Sequence, residues 1–293
     1  MRFAAVGALG MACFICLSGC EYGLKEFLYR DDDVDIRSVS LRELDLGCHQ
    51  DTPALSLAWK QFPESYKVLV LTDIHFGAEK AAPVEELFAW LDSLPEGEKP
   101  LFCLALGDLV EHGLESEYQE YAQFASRLES KAVPIYALCG NHDLYNSGWR
   151  YWEQYVYPHA SYYRFQTRAF SWYFLDTANG TLGKKQLENF SSCAKQDPMP
   201  KLVFSHYPVY AGGIPYFSLS NTRERAYLLD LFAKTKVRLV LEGHWHFGGS
   251  YDFGAFREET LEAFRDRDCW YVLNVTEGID GTAGAVSVSQ VAK

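Results

Sequence analysis

Apolar runs of strand length alternate with amphipathic stretches along most of the chain. Near-continuous apolar runs, typical of strands buried on both faces, occur at residues 65–73, 100–108, 133–143, 169–176, 200–208 and 237–246. Stretches with helical periodicity lie between them, at residues 83–94, 114–130, 184–195 and 222–235. Strands that alternate with helices at this spacing predict parallel pairing in a layered α/β domain.

The two ends of this region follow a different pattern. ALSLAW at 54–59 alternates apolar and polar residues and predicts an edge strand before the central strand at 65–73. The stretches 269–278 and 285–293 have no helix between them and predict antiparallel strands. EYGLKEFLYR at 21–30 predicts a short helix, and the acidic segment at 31–38 a solvated turn or tether.

The N-terminus indicates export. Residues 3–17 form an uncharged run. This run has the length of a signal-peptide core and is too short for a membrane span. LSGC at 17–20 resembles the lipobox of bacterial lipoproteins, which implies a signal peptide at 1–19 and a lipidated Cys20 followed by a tether at 20–53, with the folded domain at 54–293. The expected location is therefore that of an exported, membrane-anchored bacterial lipoprotein. An ordinary cleaved signal or an uncleaved anchor are the alternatives.

Composition narrows the possible partners. The 293 residues are 48% hydrophobic and 15% aromatic, which suffices for a folded core. A net charge of −12 argues against bulk binding to nucleic acids or anionic membranes. The cysteines beyond Cys20 are odd in number and lack CxxC spacing, so we assign no disulfide and no thiolate zinc site, and we expect Cys103 and Cys139 to be buried apolar residues. No oligomeric state follows from the sequence.

Polar side chains follow the predicted strands at their carboxyl ends. These residues are Asp73, His75, Asp108, Asn141, His142, His206, His244 and His246. Because ligands bind beyond the carboxyl ends of strands in open α/β sheets, we expect the side chains to converge. Carboxylate, imidazole and amide groups suit divalent transition metals, and the set is too large for one ion. Taken singly, each residue also has a structural explanation, such as a helix cap, a turn or a core histidine.

Local spacing adds two expectations. Asp73 and His75 are two residues apart, as are His244 and His246, so in extended segments each pair would point to one side. Gly107, Gly140 and Gly243 precede candidate ligands, where the chain must turn sharply or allow close backbone approach.

The order D-x-H, GD, GNHD, H, GHxH resembles the calcineurin-like metallophosphoesterase superfamily over roughly residues 66 to 250. The resemblance implies two packed β-sheets flanked by helices, a four-layer sandwich. It further implies a first metal on Asp73, His75 and His246, a second on Asn141, His206 and His244, and Asp108 as the bridge. His142 would be a non-ligand histidine beside the substrate.

The implied activity is hydrolysis of phosphate esters, mono- or diester, with two divalent ions that could be Mn, Fe or Zn. A metal-bridging hydroxide would attack phosphorus while His142 acts as general acid. The family's GDxxD pattern is altered here, because Glu111 stands at its last position; its longer side chain would have to reach His142. Arg150 is a candidate phosphate contact. The aromatic segments 145–155 and 210–225 either cover the site or serve packing. The alternative function is a lipid-anchored, non-catalytic metal-dependent binding module on the same fold.

Overall fold

The computed structural model describes residues 33–46, 62–278 and 283–292. Within these ranges the strands are β1 (Arg42–Glu43), β2 (Ser65–Leu71), β3 (Phe102–Leu106), β4 (Ile135–Leu138), β5 (Tyr163–Gln166), β6 (Ser171–Phe174), β7 (Lys201–Phe204), β8 (Val237–Glu242), β9 (Gly249–Asp252), β10 (Arg257–Thr260), β11 (Cys269–Thr276) and β12 (Ala285–Ala292). The helices are α1 (Val34–Arg37), α2 (Val84–Ser93), α3 (Glu115–Ser130), α4 (Trp149–Tyr155), α5 (Gly183–Gln196), α6 (Thr222–Lys234) and α7 (Phe264–Arg267). Among the described residues, no helix combines the length and the apolar character needed to cross a bilayer.

The strands form two mixed sheets. One sheet has the order β12-β11-β2-β3-β4, with β2, β3 and β4 parallel and the tail strands β11 and β12 antiparallel. The other has the order β1-β5-β6-β7-β8-β10-β9, with β6, β7 and β8 parallel. The parallel centre and the antiparallel tail predicted from the sequence are both confirmed.

Alternation along the strands explains the layers. Val68 and Val70 of β2 face the core between the two sheets, whereas Leu69 and Leu71 face the helices outside. A strand buried on both faces has no polar side, which accounts for its continuous apolar run. Helices α2 and α3 cover the five-stranded sheet, and α5 and α6 cover the seven-stranded one. The predicted pair of packed sheets flanked by helices is therefore confirmed.

Several elements differ from the predictions. The short strands β1, β5, β9 and β10 and the helix α4 are not predicted. The predicted strand at 54–59 and the predicted helix at 21–30 lie outside the described residues. Cys103 and Cys139 are buried, as expected. These two, Cys193 and Cys269 are free cysteines in the described part of the chain; Cys269 is buried and Cys193 is partly exposed.

The segment 33–46 is folded onto the domain, in contrast to the solvated connection predicted for residues 31–38. The buried guanidinium of Arg37 lies 3.1 Å from the Asp176 carboxylate, and Ser38 also donates to Asp176. Strand β1 then joins the edge of the seven-stranded sheet beside β5. Buried polar pairs thus hold this segment on the domain, although its charged residues had predicted a solvent-exposed connection.

Candidate metal centre

The carboxyl ends of strands from both sheets meet at one place, as the strand-end motifs predict. The amide of His75 donates to the Asp108 carbonyl (3.0 Å), which joins the loops after β2 and β3. Across the sheets, the Nδ1 atom of His206 lies 2.8 Å from the Leu106 carbonyl. A carbonyl can only accept, so Nδ1 donates and Nε2 is left facing the other ligands. The loops of the two sheets are therefore tied directly to each other at the site.

The backbone at these residues is mostly left-handed. Asp73, His75, Asp108, His244 and His246 all have φ between 50° and 65°. This conformation is uncommon for residues other than glycine, and it clusters at functional sites where the surroundings enforce it. The expectation of extended segments is therefore wrong at these positions. His244 and His246 belong to two different ligand groups, whereas Asp73 and His75 belong to the same one.

Close approach of the chain explains the glycines. A Cβ on Gly140 would collide with the backbone nitrogen and the carboxylate of Asp108, and a Cβ on Gly243 would collide with Thr72. The expectation that glycine permits close backbone contact beside the ligands is confirmed.

Among the residues that the structure describes, three groups of side chains have ligand atoms close enough together to hold a metal ion. They are Asp73, His75 and His246; His75, Glu111 and His142; and Asp108, His206 and His244. Asp108 lies between the groups, because its Oδ2 atom is 3.8 Å from His75 Nε2 and 3.4 Å from His206 Nε2. Asn141 adjoins the third group, with Oδ1 placed 3.2 Å from His206 Nε2.

The residues present fit divalent metal ions. His75 Nε2 is buried and has no hydrogen-bond partner, and the buried Asp73 Oδ1 has a close contact with His246 but no well-aligned hydrogen bond, which costs free energy unless a further group satisfies both atoms. His246 turns Nε2 toward Asp73 (3.2 Å) and Nδ1 toward Asp266 (2.7 Å). A carboxylate or carbonyl on the outer ring nitrogen is the usual support of a metal-binding histidine.

The electrostatics of the site favour bound positive charge. Burial would raise the pKa of Asp73, but contacts with His246 outweigh it and hold the pKa at about 2. Burial lowers the pKa of His206, yet the Asp108 carboxylate outweighs that effect and raises the pKa to about 9. Burial and the neighbouring His206 lower the pKa of His244 to about 3, so His244 is the neutral imidazole that metals bind.

His142 and Glu111 are close, but not in the predicted way. His142 Nδ1 donates to the backbone carbonyl of Glu111 (2.8 Å), whereas the nearest Glu111 carboxylate oxygen is 3.9 Å away. That carboxylate instead lies 2.8 Å from His75 Nδ1 and 2.7 Å from Arg265. The predicted support of His142 by the Glu111 side chain is thus replaced by support from the Glu111 backbone. The adjacent His112 contacts Glu117.

Asp143 ties down the turn that carries Asn141 and His142. Its carboxylate accepts hydrogen bonds from the amides of Leu109, Val110 and Gly140 at 2.7 to 3.1 Å. Burial and the nearby Asp108 raise its pKa to about 8.

Sequence reasoning missed Arg265 and Asp266 on helix α7. The Phe264 amide donates to the Thr72 carbonyl (2.9 Å), which brings the helix to the Asp73 loop. Arg265 then contacts Glu111, and Asp266 contacts His246. The only signal in the sequence is the charge cluster RDRD at 265–268, which has no distinctive spacing.

The other candidates divide between packing and the site. Arg150 is exposed, and its guanidinium lies over the Tyr151 ring and donates to Tyr151, so no contact with the metal groups supports it as a phosphate ligand. Trp149 and Trp152 are buried and stacked, which makes their role packing. In the segment 210–225, by contrast, one aromatic residue lies near the site, because the Phe217 ring is 6.4 Å from the rings of His244 and Trp245.

This fold, with acidic, imidazole and amide groups at the strand ends, defines a metal-dependent phosphoesterase. The sequence profile of the calcineurin-like phosphoesterases matches residues 66–248, more than half of the chain. The chain therefore belongs to the calcineurin-like phosphoesterase family.

Solved structures with the same fold are distant in sequence. A dimetal phosphatase from Danio rerio is 14% identical with a TM-score of 0.58, over 75% of this chain and 98% of that one. GAP50, described as the anchor in the inner membrane complex of Plasmodium, is 13% identical with a TM-score of 0.57, over 78% and 84%. A purple acid phosphatase from yellow lupin (Lupinus luteus) seeds is 14% identical with a TM-score of 0.50, over 78% and 54%. No protein of curated function matches the sequence.

Proposed function

We infer that the chain hydrolyses phosphate esters at a dinuclear metal centre. The observation that carries this inference is the position of Asp108, whose Oδ2 atom lies within 4 Å of histidines from two separate ligand groups. One carboxylate between two groups of ligands is the arrangement that a pair of metal ions requires.

Each residue has a proposed role. Asp73, His75 and His246 hold one ion, and Asn141, His206 and His244 hold the other, with Asp108 shared. When bound, the two ions would supply a water of lowered pKa and positive charge for the phosphoryl oxygens. The metals themselves are Mn, Fe or Zn, whose preferences for imidazole and carboxylate ligands overlap.

His142 is proposed as the general acid that protonates the leaving group. Its Nδ1 proton is held by the Glu111 carbonyl, so Nε2 is the ring atom left to carry and release a proton. Its imidazole is partly exposed, with 24% of the side chain accessible. Arg265, held between Glu111 and Asp266, adds a fixed cation next to His75 and His246.

Hydrolysis is tested with purified protein loaded with manganese, iron or zinc. Turnover of 4-nitrophenyl phosphate supports a monoesterase, and turnover of bis(4-nitrophenyl) phosphate a diesterase. Both activities should disappear on chelation and return when the metal is restored. A fully metal-loaded protein that hydrolyses neither ester would contradict the proposal.

A non-catalytic binding module is the second candidate. One protein of similar structure is described as an anchor, so the fold alone does not decide between catalysis and binding. The ligand groups are all present here, and His142 is partly exposed beside them, which favours catalysis. Tight metal binding without any esterase activity would favour the module.

For location, we propose export and lipid anchoring at Cys20, on the basis of the LSGC motif. Two or more acyl chains anchor a protein stably, since each buried CH₂ contributes about 0.8 kcal/mol. Cys20→Ala should therefore move the protein out of the detergent phase or block its processing, whereas Cys193→Ala should change neither. Unchanged detergent partitioning of the Cys20→Ala variant would rule lipidation out.

A further inference from the structure

Exposed aromatic side chains lie next to the metal centre on the side of His244. The Phe217 ring is 6.4 Å from His244 and 6.4 Å from Trp245, and Trp245 is 5.9 Å from Phe247. Phe217 is 40% exposed and Phe247 is 50% exposed. We call Phe217, Trp245 and Phe247 the aromatic wall. Large apolar side chains grouped at the surface usually mark a binding site.

The loops that carry the wall are held in place. Phe217 ends the short helical turn Pro215–Phe217, and the Ser218 hydroxyl after it donates to the Ile214 carbonyl (3.0 Å) and accepts from Arg225 (2.6 Å). At the other end of the wall, the Arg267 guanidinium lies 4.6 Å from the centre of the Phe247 ring. A surface that is ordered before binding loses little entropy when a ligand arrives.

The wall begins at a ligand residue. His244 belongs to the group with Asp108 and His206, and its ring is also stacked on Tyr207 at 3.6 Å. Around the other ligand group the side chains are charged, namely Glu111, Arg265 and Asp266. A phosphate bound at the ligand groups would therefore have an apolar, aromatic surface beside it on the His244 side.

We propose that the aromatic wall binds an aromatic ring in the organic part of the phosphate ester. The wall consists of rings, and rings pack on one another with offset or edge geometry that an alkyl chain cannot reproduce. This inference rests on the proposed function, because it assigns the substrate class of the same site.

The test compares benzyl phosphate with n-butyl phosphate. Both release a primary alkoxide, so both make a similar demand on the general acid, and they differ chiefly in the ring. The wild-type enzyme should prefer the benzyl ester by roughly 10-fold in kcat/KM, mainly through KM. Dibenzyl and dibutyl phosphate replace them if the enzyme is a diesterase.

Variants at Phe217 test whether the preference for the benzyl ester requires an aromatic ring at this position or only an apolar side chain. Phe217→Ala and Phe217→Leu should each reduce the preference for the benzyl ester by about 3- to 10-fold, whereas Phe217→Trp should keep it. The metal content should stay unchanged in all three, and kcat/KM for the butyl ester should fall less than kcat/KM for the benzyl ester. Tyr216→Ala is the matched control, because Tyr216 precedes Phe217 on the same turn and is 88% exposed.

A binding measurement gives a readout independent of turnover. Calorimetry with benzylphosphonate and butylphosphonate, which are not hydrolysed, should show the same preference and the same loss in Phe217→Ala. Equal kcat/KM for both esters in the wild type, or equal effects of Phe217→Ala and Tyr216→Ala, would overturn the aromatic subsite. Failure to hydrolyse any ester would instead count against the proposed function itself.

Discussion

Asp108 is the residue on which both ligand groups depend. It contacts histidines of both groups through one oxygen, while its other oxygen accepts from the His142 amide (2.9 Å). We therefore expect Asp108→Asn to lower occupancy at both positions. His206→Ala should mainly affect one position, since Asp73, His75 and His246 remain.

Metal analysis after loading with manganese checks this prediction. The wild type should hold about two ions per chain, His206→Ala about one, and Asp108→Asn fewer than one. A wild-type protein that saturates at one ion, or an Asp108→Asn variant that keeps two, would remove the dinuclear interpretation.

His142 can be tested through the leaving group. General acid catalysis is typically worth ~10² to 10⁴-fold, and only poor leaving groups need it. His142→Ala should therefore reduce turnover of alkyl phosphate esters by about 100-fold or more, and turnover of 4-nitrophenyl esters by less than about 10-fold. His112→Ala is the matched control, because His112 lies in the neighbouring loop on Glu117. Equal losses on both esters, or loss of metal, would make His142 a ligand or a charge stabiliser.

At the scale of single residues, the sequence predicts a site residue when its side chain follows the end of a predicted strand and belongs to a motif. Asp73, Asp108 and His206 converge because β2 and β3 of one sheet and β7 of the other have their carboxyl ends at the same place. Arg265 and Asp266 could not be found in this way, since their position depends on a hydrogen bond from Phe264 to Thr72. The predicted contact of the Glu111 side chain with His142 is also not formed, because the Glu111 carboxylate lies closer to Arg265 and to His75 than to His142.

At the scale of elements, strands β8 and β10 together hold the loop that follows β7. Glu242 accepts from the Val209 amide, and Glu258 accepts from the amides of Tyr210 and Ala211. Both carboxyl groups are buried, and the second oxygen of each has no hydrogen-bond partner. The pair therefore orders the backbone beside His206 at the cost of burying two acids.

This pair predicts how stability depends on pH. Burial raises the pKa of Glu258, and burial together with the Glu258 charge raises the pKa of Glu242 well above its usual range. An acid with a raised folded-state pKa binds more protons folded than unfolded, so stability falls as pH rises through that range. Glu258→Gln keeps an acceptor for Tyr210 and Ala211 but cannot ionise.

We expect Glu258→Gln to be more stable than the wild type at pH 8 by on the order of 1 kcal/mol, and the difference to shrink toward pH 5. Urea unfolding of the metal-free proteins at several pH values measures it. Glu188→Gln, an exposed position on α5, should leave the pH dependence unchanged. A Glu258→Gln variant that is less stable at every pH would mean that the negative charge itself holds the loop.

The same strands show why some elements escape prediction. Strand β10 reads REET, and its buried positions are Glu258 and Thr260, so its polarity is the reverse of a normal amphipathic strand. Strand β2, in contrast, lies between two apolar layers and is evident from its composition. Helix α4 reads WRYWEQY, where buried aromatics hide the helical period.

At the scale of the whole molecule, a buried ion pair is one of the contacts that hold the N-terminal segment 33–46 on the domain, beside the pairing of β1 with β5. Arg37 contacts Asp176 with both side chains fully buried, and it also donates to Asn179 (2.7 Å). Its guanidinium lies 5.4 Å from the centre of the Trp149 ring, so the segment also contacts helix α4. If Cys20 carries lipid, Asp33, the first described residue, lies at most about 45 Å of fully extended chain from the membrane anchor.

Breaking this pair from one side should be costly. A single change, Arg37→Met or Asp176→Asn, leaves a buried group without its partner and should lower the free energy of unfolding by about 3 kcal/mol. The double variant should lose less than the sum of the single changes, because no lone charge remains. Chemical unfolding measures all four proteins, and limited proteolysis within residues 33–46 reports whether the segment has detached. If Arg37→Met unfolds like the wild type and is no more readily cut, the other contacts of the segment, such as the pairing of β1 with β5, hold it in place, and the distance from anchor to metal centre is not set by this ion pair.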